Sequence, residues 1–148
     1  MKSLLDPIEN RNVLKRIDSL SPERRSQWGK MNVAQMLAHC QVPLKVAAGE
    51  LVLKRGLIAL LFGRMAKKQM LKEEPFKQNL PTDSRFTVSD SRQFEEEKKK
   101  LMSLVERFIN IGEGISKIPH PFFGELSAEE WGAFQWKHLD HHLRQFGA

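Results

Sequence analysis

A single cysteine, Cys40, stands in 148 residues. That excludes an intramolecular disulfide and suits a reducing cytoplasm. Long apolar runs are lacking too. The longest, Leu57 to Phe62, falls far short of the ~20 residues a membrane-spanning helix needs. No basic-then-apolar export signal is visible at the start, since Met1–Pro7 already contains Asp6. There is no phosphate-binding glycine loop, no Ser-His-Asp signature, no internal repeat and no low-complexity segment, so the commonest nucleotide-binding and hydrolase patterns drop out. What remains is an ordinary globular balance, 41% hydrophobic and 28% charged, long enough for one domain over residues 1–148. The net charge of +6 is scattered. Its densest run, Lys98–Lys100, directly follows Glu95–Glu97, as on a solvated helix face with i,i+4 pairs. Neither nucleic acid nor a membrane is expected as a partner.

Helical periodicity dominates, and no strand pattern rivals it. Asp6–Leu20 reads as a first helix with Ile8, Val13, Leu14 and Ile17 as its apolar side and Pro7 near its start. Asn32 with Gln35 three residues later resembles a capping box, opening a second helix through Met36, Leu37, Cys40 and Leu44, with Pro43 inside it. Leu57–Lys72 reads as a third, packed against the second. Pro75–Thr87 is a long connection, broken by Pro75, Asn79, Pro81, Asp83 and Ser84. Ser89 or Asp90 is expected to cap a helix ending near Ile111. Pro119-His120-Pro121 is stiff chain, and Ser127 with Glu130 caps a last helix through Phe146. The expected fold is all-α: an antiparallel up-down four-helix bundle.

The last helix carries the chemistry. Three of five histidines fall within His138–His142. At about 100° per residue, Trp131, Phe134, His138, His142 and Gln145 share one stripe, with Lys137, Asp140 and Arg144 on the opposite, wet side. Two imidazoles facing a core need partners, and His39 on the second helix is the best third ligand for a divalent cation. Three protein ligands with an open position describe a catalytic site. Imidazole suits zinc, nickel, iron or copper alike. The competing reading is a non-catalytic metal-binding or interaction module with structural histidines. His141, at the edge of the stripe, either supports the ligands, lines the pocket or lies at the surface. His120 either serves the loop or lines the pocket mouth. His138 and His142 lie about 16 to 23 Å along the helix axis from Ser127, which argues against His120 as a ligand. Cys40, on the apolar stripe, reads as a buried, inert thiol.

Gln35-Met36-Leu37-Ala38-His39-Cys40, followed by Trp136-Lys137-His138-Leu139-Asp140-His141-His142-Leu143-Arg144-Gln145, resembles the bacterial DinB/YfiT-like superfamily. Trp28-Gly29-Lys30-Met31 and His120-Pro121-Phe122-Phe123-Gly124-Glu125-Leu126-Ser127 are similar to one branch of it. The resemblance implies an up-down four-helix bundle with His39, His138 and His142 as ligands, and an additional histidine at His141. It further implies a metal-dependent enzyme, a thiol transferase or a hydrolase, acting on a small molecule such as a low-molecular-weight thiol. A homodimer is expected from the same resemblance. No thiol-binding motif of the superfamily is matched.

Overall fold

The computed structural model describes residues 1–82 and 84–148, so Asp83 of the long connection lies outside the described residues. The chain is all-helical. Its α-helices are α1 (Pro7–Asp18), α2 (Val33–Ala47), α3 (Leu57–Met70), α4 (Phe94–Phe108) and α5 (Ala128–Gln145), with 3₁₀ turns at Ser84–Phe86 and Gly112–Lys117. No strand occurs among the described residues; a single bridge joins His120 and Gly124. No described helix is long and apolar enough to cross a membrane.

Local chemistry starts the helices. Asp6 Oδ1 accepts from the Ile8 and Glu9 amides at 2.8 and 3.1 Å, with Pro7 in the first turn, where a missing N–H costs nothing. Asn32 and Gln35 close a reciprocal capping box on α2, and Ser127 and Glu130 close another on α5. Fixing the starts of these two helices fixes which residues face each other. α2 continues through Pro43 to Ala47.

Four helices close a ring of contacts: α2 on α4, α4 on α1, α1 on α5 and α5 on α2. Between them lie Val13, Ile17, Met36, Leu37, Leu101, Val105, Phe108, Trp131 and Leu139, all almost inaccessible to water. Asn10 ties α1 to α4 by donating to the Val105 carbonyl at 2.8 Å. Arg16 pairs with Asp140 at 2.8 Å between α1 and α5.

Several expectations need correction. α3 does not pack as a core helix against α2; it stands outside the ring on Ala59, Gly63 and Met70, and its large residues face solvent. Gly63 has no side chain where the Phe122 carbonyl approaches, so α3 leans on the turn before α5 instead. α4 begins at Phe94, not at Ser89 or Asp90. Its first turn holds Glu95, Glu96 and Glu97, whose charges favour the positive helix end without a side-chain cap. Glu97 leaves the solvated face altogether, since Gln41 Nε2 donates to its Oε2 at 2.6 Å within the α2–α4 seam. Ile8 is exposed rather than apolar core. Lys137, expected on the wet side, is only 6% exposed. Its ammonium donates to the Met70 and Lys72 carbonyls at 2.9 and 2.6 Å, neutralising the C-terminal end of α3, and lies over the Phe76 ring.

Stability should separate the two kinds of apolar residue. Trp131→Ala should lower unfolding free energy by about 3–5 kcal/mol, while Leu61→Ser on α3 should change it by no more than about 0.5 kcal/mol. Urea titration followed by circular dichroism reads both; a large loss in Leu61→Ser would place α3 in the core after all.

Candidate metal centre

α2 carries His39, and α5 carries His138 and His142 one turn apart. One ring nitrogen from each lies within 4.8 Å of the other two. The closest approach is His39 Nε2 to His138 Nε2, 3.0 Å. The rings of His39 and His142 meet edge to face at 4.6 Å, and those of His138 and His142 at 4.8 Å. His39 and His142 are buried, while His138 keeps partial exposure with its Nδ1 shielded from solvent.

Hydrogen bonding decides which nitrogens are free. His39 Nδ1 lies 2.7 Å from the Phe86 carbonyl, which only accepts, so the proton sits on Nδ1 and the Nε2 lone pair faces the cluster. His142 Nδ1 lies 2.8 Å from Gln145 Oε1. The Gln145 amide is oriented by its own Nε2, which donates to the Trp28 carbonyl at 2.6 Å, so His142 likewise presents Nε2. Gly29 makes this possible. It has φ 78°, and a Cβ there would stand 2.7 Å from Gln145 Nε2. His138 Nδ1 is buried with no hydrogen-bond partner among the described residues.

Burial holds these rings neutral. It pushes His142 down to about 3 and also lowers His39 and His138 from the usual imidazole range, with the neighbouring histidines adding to the effect at His138. Neutral imidazoles with converging lone pairs form a donor set for a divalent cation. A tetrahedral zinc site sets its imidazole nitrogens roughly 3.3 Å apart, a spacing that this cluster reaches with small side-chain adjustments. The residues present fit a metal.

Two other histidines flank the cluster. His141 is buried against the Trp28 and Phe76 rings at 5.6 and 6.1 Å, beside His142, and its Nδ1 has no partner among the described residues. His120 lies closer to the cluster than the helix-axis distance suggests, because the loop folds back onto α5. Its ring packs on Phe123, Trp131 and Phe134, and Phe134 in turn stacks on His138. His120 Nδ1 accepts from the Phe122 and Phe123 amides at 3.1 and 3.2 Å, so its lone pair is spent within its own turn. Burial pushes His120 down to about 3. Cys40 is buried beside Met36 Sδ, with its thiol pushed up by burial. The carbonyl of Phe86 and the amide of Gln145 are functional neighbours that histidine spacing does not reveal. Gln145 shares the histidine stripe of α5, which was the one available signal. Two surface cavities lie elsewhere. The larger, about 580 Å³, runs between Lys2, Glu9, Trp136 and Asp140.

A family model described as "Protein of unknown function (DUF1569)" matches residues 3–148. Neither a curated protein nor a solved structure matches the chain.

The lowered histidines make metal-free protein acid-sensitive. An unfolded chain takes up protons near pH 6.5 that His120 and His142 refuse until about 3. Stability is therefore full above that range and falls as pH drops through it, by about 2 kcal/mol per buried histidine near pH 5. Urea unfolding across this range should show the loss, with a shallower slope in His120→Gln. A flat profile from about pH 7 to 5 would contradict the burial of these rings.

Proposed function

For a chain that belongs to the DUF1569 family, we propose a metal-dependent enzyme of the DinB/YfiT-like type, built on an up-down antiparallel four-helix arrangement. His39, His138 and His142 hold one divalent ion, and the substrate is a small molecule. The observation that carries this reading is the convergence of three neutral imidazoles, two of which, His39 and His142, direct their protons outward to Phe86 and Gln145. When bound, such an ion supplies Lewis acidity that makes a water or thiol a nucleophile near neutral pH.

The chain's own residues divide the remaining work. Phe86 and Gln145 hold two rings in the ligating tautomer, which strengthens them as donors. The partly exposed side of His138 is the approach for substrate. Phe134, packed on His138, keeps water from its far side. His141, buried and neutral with Nδ1 unpartnered, is the group available to accept a proton beside the site. His120 serves the turn and ligates nothing. A second reading, a non-catalytic metal module, draws on one observation: neither of the two surface cavities opens on the histidines.

Elemental analysis of untagged protein should find about one divalent equivalent per chain, lost in the His39→Ala, His138→Ala, His142→Ala triple variant and kept in His120→Ala. Gln145→Ala should weaken metal affinity about 10–100-fold. Equal metal in native and triple variant removes the site. Cobalt-loaded protein separates the two readings. A small thiol that adds a sulfur charge-transfer band supports the enzyme, and a spectrum that ignores thiol and anions supports the closed module.

A further inference from the structure

α3 reverses the usual arrangement of a surface helix. At about 100° per residue, Ala59, Gly63 and Met70 share the inner side, and Leu57, Ile58, Leu61, Phe62 and Met65 form the outer one. All five outer residues are exposed, Leu57 by 79% and Leu61 by 76%, with Leu60 exposed at the border. Small residues inside let the helix sit close to the Phe122 backbone, while the large ones touch nothing that would justify them. A contiguous apolar face of this kind marks a docking surface.

Charge selects the occupant. Lys54, Arg55, Arg64, Lys67, Lys68 and Lys72 lie between Glu50 and Glu73 with no acidic residue among them. Lys67 pairs with Glu130, and Arg55 donates to the Ala59 carbonyl. The side chains of Lys54, Arg64 and Lys68 have no acidic partner among the described residues, and Arg64 and Lys68 border the apolar face along one row. A second copy of the chain would set this cationic rim against its own kind. An anionic, deformable surface satisfies both features.

We propose that α3 docks the protein flat on an anionic phospholipid surface, its outer apolar residues at the headgroup–acyl boundary and Lys54, Arg64 and Lys68 among the phosphates. The lack of a span-length run speaks only to crossing a bilayer; lying on one needs no such length. This inference is independent of the metal site.

Vesicle co-sedimentation of the full chain tests it. The protein should bind phosphatidylcholine vesicles containing about a fifth phosphatidylserine, should leave pure phosphatidylcholine in the supernatant, and should release as salt is raised. Leu61→Glu with Met65→Glu, both at exposed positions, should abolish binding with helix content and Tm unchanged. Lys54→Gln, Arg64→Gln and Lys68→Gln together should weaken partitioning at least about tenfold. No binding to anionic vesicles, equal binding to neutral ones, or indifference to the Leu61/Met65 variant would overturn the proposal. A concentration-dependent dimer dissociated by that variant, without vesicle binding, would overturn it in favour of a second copy.

Discussion

Two imidazole nitrogens, His39 Nε2 and His138 Nε2, face each other at 3.0 Å across the α2–α5 seam. With His39 protonated at Nδ1 by its bond to Phe86, its Nε2 is a bare lone pair. Something positive must lie between the two rings: a proton on His138, or a cation shared with His142. The His138 proton leaves that ring neutral; burial opposes only a further proton that would charge the cluster, because every histidine in it is held below its ordinary range. His138 Nδ1, buried with no partner among the described residues, is unsatisfied with either occupant. The cluster thus offers a cation three neutral donors, in surroundings where any buried charge must be compensated.

The rest of the fold holds that seam in register. Capping boxes at Asn32 and Ser127 set where α2 and α5 begin, and the ring through α1 and α4 presses the two together. Segments far away in the chain then lock the rings. A 3₁₀ turn in the long α3–α4 connection supplies the Phe86 carbonyl, and the Trp28-Gly29 turn anchors Gln145. Loop residues therefore orient two of the three histidines, while helices only place them.

The starts of α2 and α5 and the inward stripe of α5 were legible because capping and a 3.6-residue period are local properties, whereas α4 starts later than Ser89 or Asp90 suggest. Asn32 and Ser127 cap as their spacing implies, and the same period brings His138 and His142 to His39. The third helix was not legible. Leu57–Phe62 has the composition of core, and nothing in a single sequence says that Gly63 rather than Leu61 faces the protein. Lys137 misleads in the opposite sense, since a cation at a helix C-terminus is well satisfied when buried. The Phe86 carbonyl leaves no sequence trace, because any residue carries one. His120 was placed too far away because axial distance along α5 ignores a turn that folds back onto it.

The most direct test of the convergence is ring-nitrogen NMR of the histidines before and after one equivalent of zinc. Outward-directed protons predict Nδ1-protonated tautomers at His39 and His142 in metal-free protein. Zinc should then shift Nε2 of His39, His138 and His142 together and leave His120 in its Nε2-protonated form. Unchanged Nε2 signals at those three rings, or a response centred on His120 or His141, would contradict it.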